Sequence, residues 1–504
     1  MGVMLPQLLK AGAALAATTA AVTLGKGYFG TLQSEDPSST TSADQEASWP
    51  GDLDHTKLEK IKDAARELVL RKKEECGAPG VTIAVSKNGR PVWAEGFGYA
   101  DVENFTPMTP RHVLRIASIS KPITMALVAR AMDAGLLDAS HTVHHYLPHY
   151  PRHSVDGEQV DMTIDQIATH QAGIRHYHKK PDAHIMKQNS ENSKKKKLAH
   201  EVLEHESKRR SNSGDDKESA GRPDFADTDS EKPDSGEKKI QSEKKQTEPV
   251  PAKEFHTTDK YDNVGEALSV FKDDELIHKP GSDFHYSTHG YTLISAVLEA
   301  ATGARFRDQL RRMFYAMDLR STYVDENDTI IRNRSRYYVR GKDGKLQNAQ
   351  HVDNSWKIAG GGLLSTPTDL CRFADIMLYS WQADEGAQPA GYLRPATARW
   401  LWTPAPPPPP PTGRRRRPWT PNRFARGWHV GREQPELGAG PGAAMVAYHT
   451  GGAAGCSSIL LVRPDGQQTG NDGRPRGVSV AVIANAQDVS LREVADDVAR
   501  LFAE

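Results

Sequence analysis

Residues 114–128, LRIASISKPITMALV, place Ser118 three residues before Lys121 at the start of an apolar run. Residues three apart share a face of a helix, so the Ser118 hydroxyl and the Lys121 amine can meet. A serine alcohol is a weak nucleophile that needs an adjacent base, and a lysine can be that base only when it is neutral. Burial and a helix N-terminus both disfavour the ammonium form and lower the lysine pKa. The stretch therefore predicts a buried helix that carries a serine nucleophile and its lysine base.

The spacing of serine and lysine is weak information by itself, because it also fits a helix-cap serine beside a surface lysine. It recurs in polar charge runs, with no core to desolvate the lysine, at Ser193–Lys196, Ser235–Lys238 and Ser242–Lys245. The apolar residues around Ser118 distinguish this copy of the pattern from the three in charge runs.

Composition excludes some classes of protein. The 504 residues have a formal net charge of zero and a pI near 7.4, so no nucleic-acid partner is indicated. The three cysteines are scattered and predict neither a disulfide framework nor a zinc site. The histidines between residues 141 and 153 fit no metal-ligand spacing. We therefore predict no metal and no cofactor.

Strand patterns occur near both ends of the chain. Two strands flank the turn pair Asn88-Gly89, and three more follow beyond residue 443, with a terminal helix at each end of the folded sequence. The predicted strands are Val81–Ser86, Pro91–Phe97, Ala444–His449, Ser457–Arg463 and Gly477–Asn485. Ser490 and Glu493 have the spacing of a capping box for the last helix. These patterns predict an α/β (α+β) fold, with a mostly antiparallel sheet flanked by helices and a second, helical lobe.

The domain organisation follows from composition. Residues 1–50 combine an apolar stretch, short for a membrane span, with a polar linker, and predict a targeting or anchor segment. Residues 51–178 and 263–504 are predicted to be the two parts of the one domain that carries Ser118 and Lys121. Residues 179–262 form a charged, low-complexity insert that we expect to be disordered, because it has little apolar surface to bury. A proline run followed by four arginines, residues 404–418, predicts a stiff exposed loop.

Several motifs, taken together and in order, resemble the serine β-lactamase and penicillin-binding-protein family on its class C side. Some stretches are most similar to its mitochondrial serine β-lactamase-like branch in animals, including the position of the charged insert. Besides residues 115–121, the stretches that carry the resemblance are GAPGVTIAV (77–85), GFGYAD (96–101), THQAGIRHY (169–177), YSTHGY (286–291), GGGLLST (360–366) and HTGG (449–452). The resemblance implies a β-lactamase/transpeptidase-like fold with the active site between its two lobes.

The resemblance also implies roles for site residues. Tyr286 matches the tyrosine of the family's Tyr-x-Asn element, which shuttles protons and needs a pKa lowered by nearby cations. Thr288 replaces the asparagine of that element. His449-Thr450-Gly451 stands for Lys-Thr-Gly on the strand lining the site, and His449 is expected to be partly charged at neutral pH. The resemblance gives the oxyanion hole to the backbone N–H groups of Ser118 and Gly452. Both Gly451 and Gly452 are expected to let the strand approach a substrate.

The function implied by the resemblance is acyl transfer to water through a Ser118 ester, on peptide, amide or ester substrates. The mitochondrial branch implies a peptidase in the intermembrane space, self-assembly into filaments, a role in lipid metabolism and an association with the inner membrane. Two alternatives stay open: a secreted or periplasmic-type carboxypeptidase or esterase, and a filament-forming structural protein with vestigial chemistry.

Overall fold

The computed structural model describes residues 55–177, 253–408, 423–432 and 445–504. The segment 1–50, residues 179–252 of the predicted insert and residues 409–418 of the proline and arginine loop lie outside the described residues. The described helices are α1 (His55–Cys76), α2 (Ser120–Asp133), α3 (Val143–Tyr146), α4 (Ile164–Ala168), α5 (Val264–Leu268), α6 (His289–Thr302), α7 (Phe306–Ala316), α8 (Ile358–Gly361), α9 (Pro367–Gln382), α10 (Pro395–Trp402) and α11 (Arg492–Ala503). In these ranges, no helix has both the length and the apolar character that crossing a membrane requires.

The described strands are β1 (Gly80–Lys87), β2 (Arg90–Asp101), β3 (Thr106–Pro107), β4 (Leu114–Arg115), β5 (His153–Val155), β6 (Glu158–Val160), β7 (Tyr323–Val324), β8 (Tyr338–Arg340), β9 (Leu346–Asn348), β10 (Leu363–Ser365), β11 (Arg423–Phe424), β12 (His429–Arg432), β13 (Met445–Ala453), β14 (Cys456–Pro464) and β15 (Gly477–Ala484). Eight of them form one antiparallel sheet in the order β11-β12-β13-β14-β15-β1-β2-β3. β1 pairs with both β2 and β15, so the N-terminal hairpin completes a sheet begun by the C-terminal strands. Asn88 and Gly89 have φ angles of +53° and +70° in the turn between β1 and β2. The single sheet predicted from both chain ends is confirmed.

The large sheet has a hydrophobic core on each face. Side chains alternate between faces along a strand, so Val480 and Val482 of β15 pack toward α1 and α11. Ala481 and Ile483 face the opposite core, which contains α2, α6 and α9. This second core joins the sheet to the helical part of the fold, and α2, which carries Lys121, lies within it.

The last helix does not use the predicted capping box. α11 begins at Arg492 with Leu491 as its N-cap, and no side chain caps its first turn. The prediction from Ser490 and Glu493 is therefore wrong. The apolar face of α11, which includes the buried Val498, packs on the sheet and fixes the helix without a cap.

The predicted insert extends too far at its C-terminal end. Arg175 donates to both carboxylate oxygens of Glu254 at 2.9 Å, and its Nε donates to Asp274 at 2.6 Å. The buried His289 lies 3.3 Å from the same Glu254 carboxylate. These contacts fix residues 253–262 to the folded part of the chain, although we assigned them to the insert. Because these residues are polar, their composition suggested disorder and did not indicate the ion cluster, which forms only in the folded structure.

Candidate active site

The segment before the nucleophile is held by polar contacts on both sides. Arg115 of β4 is buried, and its guanidinium donates to Asp325 at 2.8 Å and to the Ala454 carbonyl at 3.0 Å. The carbonyl of Ile116 accepts a hydrogen bond from Ser458 of β14 at 2.9 Å. The strand that ends at Arg115 is therefore attached to the large sheet immediately before Ser118.

Ser118 lies in a 3₁₀ turn, Ala117–Ile119, that leads directly into α2. Ala117 has a φ angle of +48°, in the left-handed region that costs an alanine about 1–2 kcal/mol. Its carbonyl accepts a hydrogen bond from Ser120 Oγ at 2.7 Å, which supports the turn. The turn exposes part of Ser118 to the cleft while Ala117 and Ile119 are buried.

Lys121 is completely buried, and its amine has three partners. Nζ lies 3.1 Å from Ser118 Oγ, 3.2 Å from Thr288 Oγ1 and 2.6 Å from the Gly360 carbonyl oxygen. Burial, followed by the charge of Lys357, holds the pKa of Lys121 well below the ordinary lysine value. A neutral amine has two N–H donors and one lone pair. This arrangement allows the donors to be used by Gly360 and Thr288 while the lone pair accepts the Ser118 proton.

Thr288 and Tyr286 both contact this centre from the segment before α6. Thr288 occupies the position of the family's asparagine and holds the amine of Lys121 rather than facing open solvent. The Lys121 amine lies over the Tyr286 ring, 4.7 Å from its centroid. Burial raises the pKa of Tyr286, and a hydrogen bond with Ser118 offsets only part of the rise. The expected lowering of this pKa is therefore wrong, because the nearest lysine is itself neutral. Tyr286 keeps its proton and can donate it.

His449 is buried and neutral, whereas it was expected to be partly charged at neutral pH. Its Nδ1 lies 2.6 Å from the Thr450 carbonyl, which can only accept, so Nδ1 carries the proton and Nε2 is an acceptor. Nε2 has no hydrogen-bond partner among the described residues. Burial lowers the pKa of His449 well below its usual range, with further contributions from His429 and Lys121. The prediction of a partly charged His449 is therefore wrong.

The two glycines after Thr450 have different surroundings. A Cβ on Gly451 would lie 2.3 Å from the Ile116 carbonyl oxygen and 2.3 Å from Ser458 Oγ. A Cβ on Gly452 would meet nothing within 4 Å, because Gly452 borders the cleft. Gly451 therefore lets β13 approach the segment before Ser118. Gly452 lies beside the cleft.

These groups surround a cleft of about 390 Å³, a size suited to a small ligand or a short segment of a larger one. Six residues with a predicted role border the cleft: Ser118, Tyr286, Thr288, His449, Thr450 and Gly452. The other lining residues, for which no role was predicted, are His176, Tyr177, Phe255, His429, Ala453, Gln487 and Asp488. His176 and Tyr177 belong to the quoted stretch 169–177, and His429 and Ala453 lie on β12 and β13. Phe255 had no signal, since it lies in the stretch that was assigned to the charged insert.

The histidines of the lining are neutral at physiological pH. Burial and the nearby Lys121 lower the pKa of His176 to about 2. Burial and Arg492 lower the pKa of His429 to about 4. Among the cleft-lining side chains that the structure describes, a formal charge is thus carried by the carboxylate of Asp488.

The histidine-rich stretch between residues 141 and 153 lies away from this cleft. His144 bonds Asp161 through Nδ1 at 2.9 Å and the Tyr150 carbonyl through Nε2 at 3.0 Å. Over the described ranges, no three His, Cys, Asp or Glu side chains are grouped as a metal site would need.

The motif order implied a serine close to a buried lysine, with a tyrosine and a strand edge facing them, and the structure brings these parts together at the turn that leads into α2. The sequence profile of the family described as Beta-lactamase matches residues 65–215 and 246–504. The chain belongs to the β-lactamase family. Its membership makes it a β-lactamase-like serine hydrolase, and the fold is the β-lactamase/transpeptidase-like one that the sequence predicted.

Relatives of the family are found among both curated sequences and solved structures. The chain is similar to the human "Serine beta-lactamase-like protein LACTB, mitochondrial", with 38% identity over 87% of this chain and 79% of the relative. The octameric penicillin-binding protein homologue from Pyrococcus abyssi has a TM-score of 0.57 at 18% identity, over 88% of this chain and 78% of the other. The D-amino acid amidase from Ochrobactrum anthropi SV3 has a TM-score of 0.56 at 18% identity, over 88% of this chain and 97% of the other.

Proposed function

We propose that this serine hydrolase is a peptidase that cleaves amide bonds through an acyl-enzyme on Ser118. One observation carries the proposal: the buried amine of Lys121 lies 3.1 Å from Ser118 Oγ and has acceptors for both of its remaining protons. A base in this state takes the Ser118 proton as the oxygen attacks the substrate carbonyl. The bond from Oγ to the carbonyl carbon then forms, and the amine of the substrate leaves.

Amide cleavage is favoured over ester cleavage by the state of Tyr286. An amine is a poor leaving group unless it is protonated, whereas an activated alkoxide leaves without help. Tyr286 retains its proton because burial raises its pKa, and it interacts with Ser118. We assign it as the acid that protonates the leaving nitrogen. The proton held by Lys121 then restores the phenol, and water hydrolyses the ester.

The oxyanion hole is assigned to the backbone N–H groups of Ser118 and Gly452. Support comes from their positions, since both residues border the same cleft. Loss of one such donor typically slows the reaction by roughly 10²–10³.

The nucleophile is tested by intact-mass analysis after treatment with a neutral fluorophosphonate. We expect one adduct on the parent, none on Ser118→Ala and none on Lys121→Met, with both variants folded by circular dichroism. The matched control is Lys345→Met, which removes an exposed lysine and should label like the parent. Labelling of Ser118→Ala, or an adduct mapped to Ser193, Ser235 or Ser242, would refute the assignment.

The preference for amides is tested with Tyr286→Phe. We expect hydrolysis of a peptide amide to fall by roughly 10²–10⁴, because the general acid is missing. Hydrolysis of a p-nitrophenyl ester and labelling by the probe should fall far less. Equal losses on both substrates would show that Tyr286 does not protonate the leaving group.

We further propose residence in mitochondria, in the intermembrane space, and self-assembly into filaments with a role in lipid metabolism. The name of the human relative supports a mitochondrial location. The other statements rest on the resemblance.

Cell fractionation with protease protection tests the location, and light scattering with negative-stain microscopy tests assembly. Ser118→Ala should assemble like the parent, since a growing filament needs a repeating surface outside the cleft. A parent that stays monomeric at all concentrations would contradict assembly.

A further inference from the structure

Lys357 is a second buried lysine close to the catalytic centre. It is 4% exposed and directly precedes the short helix α8, whose Gly360 carbonyl accepts from Lys121. The stem of Lys357 passes 3.8 Å from the Cβ position of Gly361, and the carbonyl carbon of Ala117 lies 3.9 Å from that same position. The side chain of Lys357 thus lies beside α8, the helix whose Gly360 carbonyl contacts the Lys121 amine.

The ammonium of Lys357 is surrounded by aromatic rings. Nζ lies 5.1 Å from the Tyr177 centroid, 4.9 Å from Phe255 and 5.1 Å from Trp356. An ammonium in such positions is attracted by the negative faces of the rings. Tyr177 and Phe255 also border the cleft, so the cage is the cleft's own wall.

No carboxylate neutralises this ammonium within the described part of the chain. The acidic group that acts on it is Asp325, which is already bound by Arg115 at 2.8 Å and Asn354 at 2.6 Å. Arg115 opposes a charge on Lys357, and burial opposes it most strongly, so the pKa of Lys357 is lowered to about 7. Lys357 therefore gains its charge as the pH falls through neutrality.

We propose that Lys357 is a positioning residue whose ammonium, held in the aromatic cage, acts through space on Lys121 and keeps it neutral as the catalytic base. The proposal rests on the proposed function, in which Lys121 is the base. Two cations in one low-dielectric site repel each other, so the pair accepts its first proton more readily than its second. The three rings of the cage favour the first proton on Lys357. Lys121 then takes the second only at lower pH.

The other groups facing the two lysines do not replace this effect. Around Lys121 they are Ser118, Thr288, the rings of Tyr286 and Tyr291, and the histidines His170, His176 and His449. Burial lowers the pKa of each of these histidines, so they carry no charge in the range where Lys357 titrates. Around Lys357 the charged or titratable groups are Arg115, Asp325, His176, His256 and Tyr177.

The test is the pH profile of the acylation rate constant, measured with a neutral fluorophosphonate from pH 4.5 to 9 on the full chain. In Lys357→Met we expect the acid limb to move to higher pH by about one unit. Acylation at a pH on the parent's acid limb then falls about tenfold, while the rate at pH 8.5 stays near that of the parent. Lys357→Arg keeps a permanent charge and should retain the parent's acid limb. Lys345→Met, an exposed control, should match the parent throughout.

An unshifted acid limb in Lys357→Met, or a loss by the same factor at every pH, would overturn the proposal. If Lys357→Met does not fold, Lys357→Gln removes the same charge and must show the same shift. The two hypotheses fail separately. Normal labelling of Lys121→Met refutes the base itself, whereas an inactive Lys121→Met with an unshifted Lys357→Met refutes only the role of Lys357.

Discussion

Gly451 and Gly452 allow a matched pair of substitutions in neighbouring residues of one strand. In Gly451→Ala the new methyl group would sit 2.3 Å from the Ile116 carbonyl oxygen and 2.3 Å from Ser458 Oγ. Because neither a backbone oxygen nor a hydrogen-bonded hydroxyl can yield easily, β13 and the segment before Ser118 must separate. In Gly452→Ala the same methyl group enters open space.

The expected loss of stability follows from these contacts. Forcing a methyl group into a packed site typically destabilises by about 1–3 kcal/mol. Loss of the hydrogen bond from Ser458 to Ile116 adds about 1 kcal/mol. The reduced freedom of the unfolded chain returns about 0.4–1 kcal/mol. We therefore expect Gly451→Ala to lose about 2–3 kcal/mol, a fall in Tm of roughly 3–4 °C for a folded chain of this size. Gly452→Ala should be neutral or slightly more stable.

Differential scanning calorimetry measures the stability difference, and fluorophosphonate labelling measures the consequence for catalysis. Gly451→Ala displaces the turn that carries Ser118, and a displacement of about 1 Å can slow a reaction by roughly 10². Gly452→Ala retains its N–H group and should acylate at a rate similar to that of the parent. Equal Tm values for the two variants would refute the close approach of β13 to the nucleophile segment.

Three further predictions concern charge. Burial raises the pKa of Asp375 from 3.8 to about 6, so the folded state binds this proton more tightly and stability is lost as pH rises from about 4 to 6. Asp375→Asn should therefore gain about 3 kcal/mol over the parent between pH 4 and pH 7.5, measured by urea unfolding. Glu254→Gln should destabilise by about 2 kcal/mol in the same assay, because Arg175 remains buried with only Asp274 to neutralise it. His449→Gln should keep the shape of the parent's pH profile between pH 6 and 7, since His449 is neutral throughout; a limb lost on substitution would show that His449 titrates there.

The features predicted correctly from the sequence are those that local patterns determine. The hairpin at Asn88-Gly89 needs only two adjacent residues, and the alternation in β15 needs only its own strand. The pairing of Ser118 with Lys121 is also local, because both lie on one turn of chain. These predictions hold because the physical cause and its effect are close together in the sequence.

The features missed or wrongly predicted depend on residues that are distant in the sequence. The Gly360 carbonyl completes the environment of Lys121 only after α8 packs against α2. The charge of His449 follows from its depth, which a strand pattern does not reveal. Glu254 lies in a polar stretch that indicates disorder until its partner Arg175 is found before the insert. In each case the feature depends on burial, and burial results from contacts between segments that are distant in the sequence.

The burial of Lys121 also explains how this lysine can accept a proton and release it again rather than retain it. Lys121 is surrounded by groups whose charged forms are disfavoured, and each additional proton in the centre meets repulsion from Lys357. Lys121 can therefore accept the proton of Ser118 while the nucleophile attacks, but its ammonium form has a strong tendency to release that proton again. In the proposed mechanism Tyr286, which keeps its own proton and lies against the Lys121 amine, is the adjacent group through which the proton reaches the leaving nitrogen. A base with this property suits the two successive proton transfers of amide hydrolysis, in which the base must be neutral again before the next step.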